Sequence, residues 1–215
     1  MIHNCIGSHT GTLSYVPHIS VVLVTGGGDK WRGRRDHLDL DSVELLNTNG
    51  SWNCPMPIMP ETRSGHTQTG LVTCGGNGGG KSCITFIRGD VNWKKSHNLN
   101  QWESSQKRKY HTSWASPRGI MLIGGTWQMG QTSEILRKDG GSTNGFRVAP
   151  IGYHACSIEE TETVTLTGGD YTLWEARVTR YKADGSGRRL PDLKTGRYRH
   201  ACGHYTTSAN SIVYS

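Results

Sequence analysis

The chain has 215 residues, and 24 basic against 17 acidic side chains give it a net charge of +7. That length supports one sizeable domain with its own core; seven Trp and eight Tyr exclude a disordered chain, and 29 glycines without a three-residue period exclude a collagen. The longest apolar runs, Val21–Val24 and Ile120–Ile123, fall far short of the roughly 20 residues of a membrane-spanning helix, and the first residues, Met1-Ile2-His3-Asn4-Cys5, lack the basic and apolar regions of a secretory leader, which is expected upstream if there is one.

Taken in chain order, an apolar strand that ends on a glycine pair is predicted four times. The strands are Val21–Thr25 before Gly26-Gly27, Leu71–Cys74 before Gly75-Gly76, Ile120–Ile123 before Gly124-Gly125, and Val164–Thr167 before Gly168-Gly169, so the pairs recur at steps of 49, 49 and 44. A histidine precedes each pair (His9, His66, His111, His154), and His200 opens another copy. Arg63, Arg108 and Arg197 stand three residues ahead of their histidines, whereas Ile151 departs from that pattern.

Behind each glycine pair a third strand runs into a tight turn: Val43–Leu46 before Asn49-Gly50, Ile135-Leu136 before Asp139-Gly140, and Val178–Tyr181 before Asp184-Gly185. Asn-Gly and Asp-Gly supply the positive φ values that tight hairpin turns require. Leu46, Leu136 and Tyr181 each stand four residues before the turn glycine, and Phe86 precedes Gly89-Asp90. A fourth strand is then predicted around Trp52, Trp93, Phe146 and Leu190. No window of a dozen residues has helical periodicity, so each unit is four strands, repeated at about 50 residues.

With double glycines, spaced Tyr and Trp, and a Met-Pro then Arg-x-x-His junction, the chain resembles the kelch-repeat proteins over nearly its whole length. The resemblance implies an all-β, kelch-type β-propeller forming a single domain over residues 1–215. Four complete four-stranded blades occupy approximately 9–60, 61–105, 106–149 and 150–194, and part of a fifth, 195–215, reads as two strands. Closed propellers complete one blade from both chain ends, so an arc of a larger ring is expected, with an open edge able to self-associate.

Gly75 to Ser82 matches the phosphate-binding loop pattern, but that loop must feed a helix and Cys83–Ile87 reads as a strand, so no nucleotide cofactor is expected. The repeat histidines read as structural, each bonding backbone within or between blades, and no metal is assigned. Galactose oxidase, which the resemblance brings to mind through the shared fold, binds copper through Tyr and His; Tyr153, His154, Tyr198 and His200 are the residues of an alternative reading in which an enzymatic propeller carries a metal site near its channel.

The six cysteines contain no C-x-x-C pair. Cys74 and Cys83 fall on adjoining strands of one blade, and Cys156 and Cys202 at equivalent places in neighbouring blades, so each pair is a candidate disulfide; the competing reading is a set of small buried hydrophobes. Bridged cysteines imply an extracellular protein, with Asn49-Gly50-Ser51 as a glycan acceptor, and unbridged ones a cytoplasmic protein.

In a four-stranded meander the loops between second and third strands and those between units emerge on one face. The first set holds Trp31, Arg32, Arg34, Arg35, Trp127, Tyr171 and Trp174, and the second Lys94, Lys95, Lys107, Arg108, Lys109, Arg188, Arg189 and Lys194. Aromatic and arginine side chains dominate binding hot spots. The expectation is a non-catalytic scaffold that binds a protein, acidic in character, or a glycan through this face, without catalytic residues or cofactor and without membrane insertion. No nucleic-acid recognition module is visible.

Overall fold

The computed structural model describes residues 12–16, 21–29, 38–47, 49–53, 56–78, 80–87, 92–95, 107–125, 132–137, 141–148, 156–159, 162–169, 176–197, 203–206 and 211–214. These residues are all-β, without a helix. The chain forms two compact units, Met1–Lys109 and Tyr110–Ser215.

In the first unit, β1 (Thr12–Val16), β2 (Val21–Thr25), β5 (Val43–Asn47) and β6 (Trp52–Asn53) form an antiparallel sheet in the order β1-β2-β5-β6. Within the connection from β2 to β5 lies a two-residue ladder of β3 (Gly28–Asp29) with β4 (Leu38–Asp39), too short for any periodic sequence signal. The second sheet, β7 (Thr67–Thr69), β8 (Val72–Cys74), β9 (Cys83–Ile87) and β10 (Asn92–Lys95), repeats the same meander, and β1 neighbours β7. Leu23 and Val43 from the first sheet and Ile84 from the second pack into one core, with Met59 from the linker between them and half-buried Met56, Leu71 and Trp93 around it. Burying each large aliphatic side chain stabilises the unit by roughly 1.5–3 kcal/mol. The linker is held as well, because Trp93 Nε1 donates to the Pro57 carbonyl at 2.8 Å.

The second unit holds β11 (Thr112–Ser116), β12 (Gly119–Ile123), β13 (Ser133–Leu136) and β14 (Ser142–Asn144), then β15 (Cys156–Glu159), β16 (Thr163–Thr167), β17 (Val178–Lys182) and β18 (Gly187–Leu190), two further sheets of the same order. β19 (Gly203–Thr206) and β20 (Ser211–Tyr214) form a two-stranded sheet, and the first strands again neighbour one another, β11 with β15 and β15 with β19. Met121 and Ile123 join Trp114, Ile135, Val164, Leu166 and Tyr181 in one core. Ile120 and Leu122, which alternate with them on β12 and so face the other way, are buried too. Burial on both faces explains why this strand reads as a continuous apolar run.

Two turns fall on the expected Asn-Gly and Asp-Gly pairs, whereas Asp139-Gly140 and Gly89-Asp90 lie outside the described residues. Leu46 pairs with Trp52 across Asn49-Gly50, and Tyr181 with Gly187 across Asp184-Gly185; Gly50 and Gly185 have φ of 81° and 90°. The fourth strand of the third sheet differs from expectation. It is Ser142–Asn144, pairing Ser142 with Leu136, and Phe146 lies beyond it. There the Phe146 carbonyl accepts the Ser133 hydroxyl at 2.6 Å while its ring stacks on Tyr181 of the following sheet at 5.3 Å. The register itself matches the first sheet, Leu136 pairing six residues on with Ser142 as Leu46 does with Trp52; Phe146 stands four residues past that position, beyond the ladder, and packs against the core instead.

Candidate functional site

The glycine pairs and the Arg-x-x-His motif turn out to be two halves of one joint. In all four repeats the first glycine's N–H donates to its own sheet, to the carbonyl just before the third strand: Gly26 to Ser42, Gly75 to Ser82, Gly124 to Thr132 and Gly168 to Arg177. The second glycine's N–H instead reaches the next repeat. Gly27 donates to the Arg63 carbonyl at 2.8 Å, Gly76 to Arg108 at 2.8 Å, and Gly169 to Arg197 at 2.9 Å. A Cβ on Gly76 would stand 2.7 Å from the Ser64 carbonyl and 2.8 Å from the His66 Cβ, so this approach excludes any larger residue. The residue before the histidine is left-handed in both copies described, with φ of 60° at Gly65 and 56° at Tyr110, and Tyr110 holds that conformation at a steric cost a glycine does not meet.

His66 closes the joint from the other side. Its Nε2 lies 2.9 Å from the Thr25 hydroxyl, which donates to Gln68 Oε1 at 2.8 Å. A hydroxyl has one proton, so His66 Nε2–H is the donor to Thr25 and that nitrogen is not a metal ligand. Among the described residues no three His, Cys, Asp or Glu side chains stand together. Tyr153, His154, Tyr198 and His200 lie outside the described residues.

Arg63 is fully buried, with its fork inserted into the open end of the β8–β9 ladder. Nη1 donates to the carbonyls of Gly75 (2.8 Å) and Ser82 (2.9 Å), and Nη2 to Ser82 Oγ (2.6 Å) and Glu61 Oε2 (3.1 Å). Burial lowers the guanidinium pKa from its ordinary value, and the Glu61 carboxylate opposes that. Beside this network Cys74 and Cys83 stand directly opposite in the register and are joined by a disulfide, their Cα atoms 4.1 Å apart. The neighbouring Gly75–Ser82 pair carries the hydrogen bond, so the cysteines occupy the closer, non-hydrogen-bonded position where a bridge across two strands fits. The Cys156 side chain and Cys202 lie outside the described residues.

The phosphate-loop match is a turn between strands. Gly76 N–H is committed to Arg108, Asn77 N–H to Ser64, and Gly80 N–H to Gly76, so these amides are spent inside the fold rather than aimed at an anion, and β9 follows directly.

Of the loop residues singled out for binding, Trp31, Arg32, Arg34, Arg35, Trp127, Tyr171 and Trp174 all lie outside the described residues. The basic set divides. Lys107 and Lys194 are exposed and Lys109 is half-buried, but Arg108 is buried, because it is the repeat equivalent of Arg63 and its carbonyl serves the joint. Lys94, Lys95, Arg188 and Arg189 are on strands β10 and β18 rather than in loops. Arg188, Arg189 and Lys194 belong to a wider basic segment around the β17–β18 hairpin, which also holds Arg177, Arg180, Lys182 and Arg197. Residues 176–197 carry seven basic side chains against Asp184 and Asp192, a surplus of five within a chain whose total is seven. Arg180 stands directly opposite Arg188, an arrangement of like charges that raises the local potential and attracts anions. Arg180 Nε is held by Thr165 Oγ1 at 3.1 Å, and Arg189 by a two-bond contact with Asp192 at 2.6 and 3.2 Å. The hydrogen bond from Arg189 holds the Asp192 pKa below its ordinary value, and that from Ser186 does the same for Asp184.

The fold thus defines an all-β protein built from repeated four-stranded antiparallel meanders joined through glycine pairs. No family model matches the chain, and no curated protein matches it. Among solved structures it is similar to that of YjhT, with a TM-score of 0.67 and 14% identity over 95% of this chain and 79% of that one, a likeness of fold.

Proposed function

We propose that the meanders are kelch-type propeller blades, four complete and a fifth in part, and that the chain is a non-catalytic scaffold binding an acidic protein segment, or a glycan, through loops at one end of the blades. The observation that carries this reading is the joint. The motif side chains that could have built a channel-side site are engaged inside the fold, as Arg63 and His66 show: the Arg63 guanidinium is bonded within its own repeat while its carbonyl and the His66 ring reach the preceding sheet. First strands that neighbour one another within each unit are what wedges around a common axis require. The solved structure of YjhT supports the fold alone. The surplus of positive charge on residues 176–197 favours an anionic partner.

The test is to titrate the full chain with poly-glutamate and with a sulfated oligosaccharide at rising salt. One of the two is expected to bind, with affinity that falls as the Debye length shrinks to about 8 Å at physiological strength. The paired variant Arg34→Glu/Arg35→Glu is expected to weaken it about tenfold, roughly 1.4 kcal/mol. Binding of neither probe, or binding indifferent to salt and to charge reversal, contradicts the scaffold reading. Stoichiometric copper in the purified protein would support the enzymatic alternative instead.

A further inference from the structure

The sequence contains one Asn-x-Ser/Thr tripeptide, Asn49-Gly50-Ser51, and the fold places it at the tip of the β5–β6 hairpin. All three residues are exposed, and a Cβ on Gly50 would meet nothing within 4 Å, so the tip stands clear of the rest of the fold. Its geometry is set by side chains. Asn49 Oδ1 accepts the Ser51 N–H at 3.0 Å and the Ser51 hydroxyl at 2.7 Å, while Asn47 Nδ2 donates to Ser51 Oγ at 2.9 Å. The turn therefore draws on the Asn49 oxygen, and a substituent on its nitrogen leaves these bonds in place.

A second, independent observation concerns the compartment. Cys74 and Cys83, buried in the same unit, are bridged, and structural disulfides persist in oxidising compartments, which in cells with a secretory pathway are those where asparagine-linked glycans are attached.

We propose that Asn49 carries an N-linked glycan, attached in the secretory pathway. The co-substrate is an oligosaccharide linked through pyrophosphate to a lipid. Asn49 Nδ2 forms a bond to sugar C1 as the bond from C1 to the pyrophosphate oxygen breaks, the amide loses one proton, and the lipid pyrophosphate leaves, with no change of oxidation state. The location suits the fold. Val21 pairs with Asn47 at the hairpin end of the first sheet, and Thr25 pairs with Val43 at the opposite end, where the β2–β5 connection departs. The glycan thus sits away from that connection and beside β6, an outermost strand, where its bulk discourages edge-to-edge pairing with another chain.

The protein from its own source cells, and the full chain made in a eukaryotic secretory host, are each treated with peptide N-glycosidase and analysed by mass spectrometry. Loss of one glycan's mass is expected from both, with position 49 then reading as Asp. Asn49→Gln and Ser51→Ala are expected to abolish the shift and Ser51→Thr to keep it, while all three retain native circular dichroism and the Cys74–Cys83 bridge. An unshifted mass for the source protein overturns the proposal. So does a secreted, bridged chain from the host that carries no sugar at Asn49.

Discussion

Replacing Gly26 by alanine probes the inter-repeat joint, and Gly70 provides an internal control. The two glycines have nearly the same backbone conformation, φ of +54° and +56°, so alanine meets the same left-handed strain at either, about 1–2 kcal/mol. Their surroundings differ. At Gly70 a Cβ meets nothing within 4 Å, whereas at Gly26 it falls 2.5 Å from the Arg63 carbonyl oxygen, 2.8 Å from His66 Cε1 and 2.9 Å from Met59 Cε. The thioether end can move aside. The carbonyl cannot do so cheaply, because it accepts the Gly27 N–H, so the clash must be met by separating the two sheets, at about 1–3 kcal/mol more. Gly70→Ala is therefore expected to cost about 1–2 kcal/mol and Gly26→Ala about 2–5 kcal/mol. Urea unfolding followed by tryptophan fluorescence under non-reducing conditions measures both, provided the m-values agree. If the two variants lie within about 0.5 kcal/mol of each other, less than the smallest clash expected, the joint does not hold the sheets as described.

Arg63→Met removes a buried cation from three oxygen acceptors and from Glu61, and should destabilise the chain by about 3–5 kcal/mol in the same assay, with Arg63→Lys recovering only part because an ammonium cannot span both carbonyls. The double variant Cys74→Ala/Cys83→Ala opens a loop with a sequence separation of 9 and should lose about 2–3 kcal/mol on the chain-entropy account; mass spectrometry of the non-reduced protein is expected to recover Cys74 and Cys83 in one linked peptide. Asp184 and Asp192 should titrate by carbon NMR below the ordinary carboxylate range. Since their folded values are depressed, the stabilisation they give is present above the unfolded pKa and is lost as pH falls through the folded one. Salt should raise the Asp192 midpoint, which depends on the charged Arg189, and barely move that of Asp184, held by neutral Ser186.

What was legible in the sequence is local in physical origin. Hairpin turns at Asn49-Gly50 and Asp184-Gly185 and the apolar second strands follow from dihedral preference and short continuous apolar runs, which the chain states directly, and the recurrence of these local signals gives the period of 49 residues. The Cys74–Cys83 bridge was also within reach, because both cysteines flank one short turn. Phe146 escaped because β14 ends at Asn144, so an aromatic ten residues after Leu136 falls beyond its own ladder and stacks on Tyr181 of the following sheet. Arg108 was counted on a basic surface from its neighbours Lys107 and Lys109, yet its carbonyl is the acceptor for Gly76 and it is buried. The Arg-x-x-His and Gly-Gly motifs were visible from the start, but only the folded chain showed that they meet, across 41 residues between Thr25 and His66. Such a meeting depends on how closely one sheet packs on the next, a distance that backbone and side-chain volumes set together and that no local pattern encodes.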